Sequence, residues 1–128
     1  MMAANLLAVA AGGALGASMR YGAVLAVGHL LGTTYPYGTM LVNVLGSFVI
    51  GVVFQLARGG MDLSPTLLLF LMTGVLGGFT TFSAFSLDAL KLLERGAVGA
   101  FATYGLLSVT LSLLAVIAGV WLVRAAAP

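Results

Sequence analysis

Residues Gly74–Ser86 read GVLGGFTTFSAFS, and this stretch decides how the rest of the chain is read. It is apolar and carries no charge, as a membrane-crossing segment should be. In its middle, Gly77 and Gly78 are followed by Thr80 and Thr81. Flexible residues beside β-branched ones favour a break in a helix. A break at membrane depth strips carbonyls of their intrahelical donors, and such carbonyls are tolerated only where they are buried or ligated. A ring of carbonyl oxygens from two subunits suits a hard monovalent cation. Phe79, Phe82 and Phe85 recur every three residues, a spacing that predicts one shared face. Aromatic rings have a positive edge, against which an anion stripped of water can lie. The plainer use of each ring is to fill core or meet lipid.

The composition around this segment points the same way. Of 128 residues 62% are hydrophobic and 6% charged, with five bases, three acids, one His and 18 Gly; mean hydropathy is +1.20. Soluble chains carry about 25% charged residues, so the solvent here is lipid. A crossing needs about 20 apolar residues, which leaves room for four or five crossings in one domain spanning 1–128. Charge-free stretches bounded by turn signals fall at Leu6–Leu31, Tyr37–Ala57, Thr66–Leu87 and Ala97–Val123. In lipid each must satisfy its own backbone, which predicts an all-α membrane protein of four transmembrane helices. The third is broken mid-membrane and carried on to residue 94 by the helical spacing of Asp88, Lys91 and Arg95. The breaks have ordinary causes: Gly32–Pro36, Arg58-Gly59-Gly60 and Glu94-Arg95-Gly96, while Ser64-Pro65 is a cap followed by a first-turn proline. No Lys or Arg precedes Arg20, so the first segment reads as a span and not as a cleaved signal.

Orientation follows the Lys and Arg bias of the loops. Arg58 and Arg124 fall on one side of four crossings, Lys91 and Arg95 on the other, and Arg20 lies within the first helix. Two against two gives no preferred direction, and predicts insertion both ways as an antiparallel, dual-topology homodimer. Gly12 with Gly16, and Gly74 with Gly78, sit at the spacing that lets helix backbones approach.

Catalysis has no equipment here. The chain has no Cys, and so no thiol or disulfide. His29, Asp62, Asp88 and Glu94 form neither a nucleophile with its base nor a carboxylate pair, so an enzyme is excluded. Five dispersed bases make no nucleic-acid patch. What remains are polar groups at membrane depth, which are expensive unless used. Asn43 lies mid-helix in PYGTMLVNVLGSFVIG (Pro36–Gly51) and offers two amide donors to an anion or a hydrogen bond to a neighbouring helix. Tyr104, Ser108 and Ser112 recur every four residues and form one hydroxyl stripe, either a polar track for a solute or small residues for packing.

Three motifs, GGALGASMRY (Gly12–Tyr21), YGTMLVNVLGSFVIG (Tyr37–Gly51) and GVLGGFTTFSAFS, resemble the Fluc (CrcB) family of fluoride ion channels in order and chain length. The resemblance implies passive export of fluoride across a bacterial inner (plasma) membrane by a multi-pass antiparallel homodimer with two pores. It implies a fluoride pathway of Asn43, Phe82, Phe85, Ser83, Tyr104, Ser108 and Ser112, with Arg20 at an aqueous vestibule. It further implies a structural Na⁺ held centrally by the backbone carbonyls of Gly77 and Thr80. Ala84 stands where the family has Thr, and Asp88 where Glu is common. A small multidrug-type transporter shares the architecture but needs a carboxylate in the first helix, which has none. In a non-conducting assembly subunit, Asn43 and the Phe pair would only pack.

Overall fold

A backbone surrounded by lipid must pair its own polar groups, and the helix is the structure that does this within one segment. The computed structural model describes Met1–Pro128 and contains four helices long and apolar enough to cross a membrane: Met2–Leu31, Tyr37–Arg58, Pro65–Glu94 and Val98–Ala126. The first begins earlier than its apolar run, and the last continues past it. Polar residues at these ends find partners: Thr66 Oγ1 donates to Asn5 Oδ1 at 2.8 Å, and Arg124 Nε donates to Gln55 Oε1 at 3.3 Å. Ser64 caps the third helix by accepting from the Leu67 N–H at 3.1 Å, with Pro65 at its first position.

The third helix is broken where the sequence places the break. Pro65–Leu68 is α-helical, Leu69–Leu76 is a wider π-helix, and Gly77–Phe79 is a last α turn. Thr80 and Thr81 are extended, with φ/ψ of −86°/158° and −156°/123°. A new helix then starts at Phe82 and runs to Glu94, its first turn capped by the Thr81 hydroxyl. The π-helical stretch has no signature in the sequence pattern. The break also corrects the expected Phe stripe. Extended residues reset the helical phase, so Phe79 is buried at 8% exposure while Phe82 is 77% exposed. Only Phe82 and Phe85 stay together.

The helices meet through backbone more than through side chains. A Cβ on Gly12 would stand 2.5 Å from the Phe70 carbonyl oxygen and 2.9 Å from Gly74 Cα; one on Gly78 would stand 2.7 Å from the Gly13 oxygen. The two small-residue pairs therefore face each other where the first and third helices cross, the close approach that small residues permit. The second and fourth helices do the same at Gly51 against Val116 and Gly119 against Phe48. Val42 and Tyr104 are the large side chains that are wholly buried.

Gly16→Ala, whose Cβ would overlap the Val75 carbonyl, should destabilise the protein by about 1–3 kcal/mol, the usual cost of overpacking. Gly22→Ala, with nothing within 4 Å, should leave stability unchanged or raise it by up to ~1 kcal/mol through helix propensity. Melting in detergent, followed by circular dichroism, compares the two.

Candidate functional site

The break is held open by one side chain. In an extended residue the N–H and C=O point the same way, as on one edge of a strand. Asn43, from the middle of the second helix, meets both groups of Thr81. The Thr81 N–H donates to Asn43 Oδ1 at 2.7 Å, and Asn43 Nδ2 donates to the Thr81 carbonyl at 2.9 Å. One of the two amide hydrogens expected to face an anion is thus spent on the backbone; the other remains.

This pairing decides which carbonyls lose their partners. In an unbroken helix the Thr81 N–H closes on Gly77 O, and the Ala84 N–H on Thr80 O. Here the first goes to Asn43, and the second goes to Thr81 Oγ1 at 3.1 Å. Gly77 and Thr80 are therefore among the residues whose carbonyls lose a helical donor at the break. Two neighbouring carbonyls have partners of their own. The Leu76 carbonyl accepts from the Thr80 N–H at 3.0 Å and from Thr80 Oγ1 at 2.8 Å. The Gly78 carbonyl accepts from Arg20 Nε at 3.0 Å. Arg20 is thus bound at the end of a helix segment, where a positive charge complements the dipole.

Beside the break lies a cavity of about 370 Å³. The second helix contributes Asn43 and Ser47, the broken helix Gly77, Thr80, Thr81, Phe82 and Phe85, and the fourth helix Ser108, Val109 and Ser112. No charged side chain lines it. The Phe82 and Phe85 rings sit 5.6 Å apart at 51°. Ser18 and Ser86 turn their hydroxyls back to carbonyls four residues earlier. Ser108 does not: it is 4% exposed, and its Oγ has no hydrogen-bond partner. A buried hydroxyl without a partner costs free energy unless something else meets it.

The hydroxyl stripe divides. Ser108 and Ser112 reach the cavity, whereas Tyr104 is absent from its lining and donates its hydroxyl to Asp88 Oδ2 at 3.2 Å. Ser83 is exposed and lies outside the lining, with its Oγ 3.4 Å from Thr81 Oγ1. Two further polar residues, Ser47 and Thr81, line the cavity. Ser47 is four residues from Asn43 and so on the same helix face, a signal present in the sequence. Thr81 shows in the sequence only as part of the break; its role as cap is local, and its role as partner of Asn43 depends on the second helix.

The family model described as CrcB-like protein, Camphor Resistance (CrcB), matches residues 7–120. The fluoride-specific ion channel FluC of Rhodospirillum centenum is 54% identical over 94% of this chain and 96% of its own length. Its namesake from Cereibacter sphaeroides is 56% identical over 96% and 97%, and that from Agrobacterium fabrum 49% identical over 94% and 96%. These relatives are named as ion channels, not as enzymes.

Asn43→Ala leaves the Thr81 N–H without a partner, while the Thr81 carbonyl keeps its place at the start of the following helix, and should cost about 2 kcal/mol, within the 1–3 kcal/mol of one unsatisfied buried group. Thr81→Ala removes only the cap and should cost about 1 kcal/mol. A melting temperature in detergent that falls further for Asn43→Ala than for Thr81→Ala is the expected order.

Proposed function

The chain belongs to the CrcB family, and on that premise we propose that it is a fluoride-selective channel which lets fluoride leave the cytoplasm down its gradient. The observation that carries the reading is the Ser108 hydroxyl, buried against an uncharged cavity with no partner in the chain. Fluoride is small and strongly hydrated, so a narrow path must replace its water at each step. The Ser108 and Ser112 hydroxyls, the remaining Asn43 amide hydrogen and the ring edges of Phe82 and Phe85 are donors of that kind. None carries a fixed charge that would hold the ion. Ser83 and Tyr104, just beyond the cavity, would extend the path. A multidrug transporter would need an embedded carboxylate, and none lines this cavity.

In this reading the working unit is an antiparallel, dual-topology homodimer with two pores in a bacterial inner membrane. Phe82 projects from the single chain at 77% exposure, on the wall of a polar cavity. A polar surface facing lipid is expensive, and a second copy would cover it. The balanced bases, Arg58 and Arg124 at one end with Lys91 and Arg95 at the other, leave both orientations open. At such an interface the Gly77 and Thr80 carbonyls, deprived of their helical donors, would hold Na⁺. The donor set fits: hard oxygens, with no cluster of His, Cys, Asp or Glu that would select another metal. The ion would supply fixed positive charge to carbonyls that lipid leaves unpaired.

Reconstitution into liposomes with a fluoride electrode tests the function: fluoride should leave while chloride stays, and the absence of fluoride efflux ends the reading. Ser108→Ala should lower flux by roughly tenfold, the kinetic equivalent of one lost hydrogen bond of about 1.4 kcal/mol, with an unchanged melting temperature because no internal bond is lost. Phe82→Ile should reduce flux sharply. Replacing Na⁺ by N-methylglucamine should lower the melting temperature, and cross-links that find a single orientation would remove the antiparallel dimer.

A further inference from the structure

The connection Gly32–Pro36 reads in the sequence as a turn and nothing more. The structure fastens it twice. Arg95 Nη2 donates to the Thr34 carbonyl at 2.7 Å, and the Tyr35 hydroxyl lies 3.4 Å from Thr103 Oγ1. Between these ties the Tyr35 ring turns inward, half-buried, and stands edge-on to Tyr104 with centroids 5.7 Å apart at 84°. Tyr37 backs it at 4.8 Å. Tyr104 in turn contacts Phe85 at 5.1 Å and 43°, and Phe85 contacts Phe82 at 5.6 Å. These distances fall within the range in which aromatic pairs hold preferred orientations. Rings are thus in unbroken contact from an extramembrane connection to the cavity wall.

The direction of constraint follows from what holds each ring. Tyr104 is wholly buried and its hydroxyl is tied to Asp88, and its ring contacts both Phe85 and Tyr35. Phe82, largely exposed, restrains Phe85 little from its own side. Of the two rings against Phe85 the buried one is Tyr104, and Tyr35 is the ring that joins Tyr104 to the connection between the first two helices. We propose that Tyr35 is a positioning residue: the connection between the first two helices braces Tyr104, and through it fixes the tilt of Phe85 so that its edge, and not its negative face, meets the ion. A ring free to tilt widens the path and turns the wrong part of the quadrupole toward an anion, so the property at stake is discrimination between fluoride and the larger chloride. This inference rests on the fluoride-channel reading above.

The test uses the whole protein in liposomes, recording fluoride and chloride efflux for the wild type, Tyr35→Ala, Tyr35→Leu, Tyr35→Phe and Thr103→Ala. Tyr35→Ala and Tyr35→Leu should lower the fluoride-to-chloride ratio by about tenfold, a change of 1.36 kcal/mol in relative barrier. Tyr35→Phe keeps the ring, and Thr103→Ala removes only the hydroxyl contact; both should keep the wild-type ratio. A loop that merely stabilised the fold would change how many liposomes are active and leave the ratio alone. Tyr35→Leu, which keeps most of the volume, stands in if Tyr35→Ala does not fold. A wild-type ratio in the folded variant that lacks the ring overturns the brace. Absent fluoride flux in the wild type overturns the channel reading instead.

Discussion

A side-chain amide pairing with a main-chain amide inside a membrane is the contact on which the rest of this structure depends. Opening a helix in lipid leaves backbone N–H and C=O groups with no solvent to receive them, at a cost of several kcal/mol for each group that nothing pairs. Asn43 meets both groups of Thr81 at 2.7 and 2.9 Å, so a single residue of the second helix takes up the N–H that the break frees and ties the start of the new helix to its neighbour. Without it the third helix would gain by closing through Thr80 and Thr81. Phe79, Phe82 and Phe85 would then share one stripe, and the Gly77 and Thr80 carbonyls would recover their helical donors. The cavity wall, the ring pair and the carbonyls are thus consequences of one polar contact between two helices.

The glycines make that contact possible. Gly46, three residues from Asn43, faces the Thr80 side chain so closely that a Cβ there would overlap Thr80 Cγ2 and lie 3.3 Å from Phe79 Cδ2. Only a residue without a side chain lets the second helix come near enough for Asn43 to reach the break. On the opposite flank Gly78 is pressed against Gly13 and Ala17, which brings the first helix close enough for Arg20 to cap the Gly78 carbonyl. The abundance of small residues in this chain is therefore part of the site as well as of the packing.

Local pattern carried the fold a long way. The four spans follow from apolar runs between turn signals, and the position of the break follows from Gly77-Gly78 beside Thr80-Thr81. What the pattern could not carry is partnership across sequence distance. Asn43 shows as a costly polar residue, but its partner lies 38 residues away; Arg20 shows as a lone base, but its partner lies 58 residues away. Helical spacing put Tyr104, Ser108 and Ser112 on one stripe correctly and still could not show that Asp88 would claim the tyrosine hydroxyl. The Phe stripe failed for a related reason, since spacing arguments assume a continuous helix through the very residues that interrupt it.

Arg20 bears on how an uncharged cavity could pass an anion. A full positive charge about 4 Å from an ion at an effective dielectric of 20 is worth about 4 kcal/mol, enough to slow release by roughly a thousandfold. Neutral donors contribute about 1 kcal/mol each, so several of them can replace water around an ion without trapping it. The one guanidinium near the break is held by its Nε on a carbonyl at the end of a helix segment, where the dipole offsets part of its charge. Bound there, it joins the first helix to the third and leaves the cavity to hydroxyls, an amide and ring edges. For a passive conductor of the kind proposed that division would matter, since the residue with the strongest field would serve the architecture while the weaker donors would meet the ion.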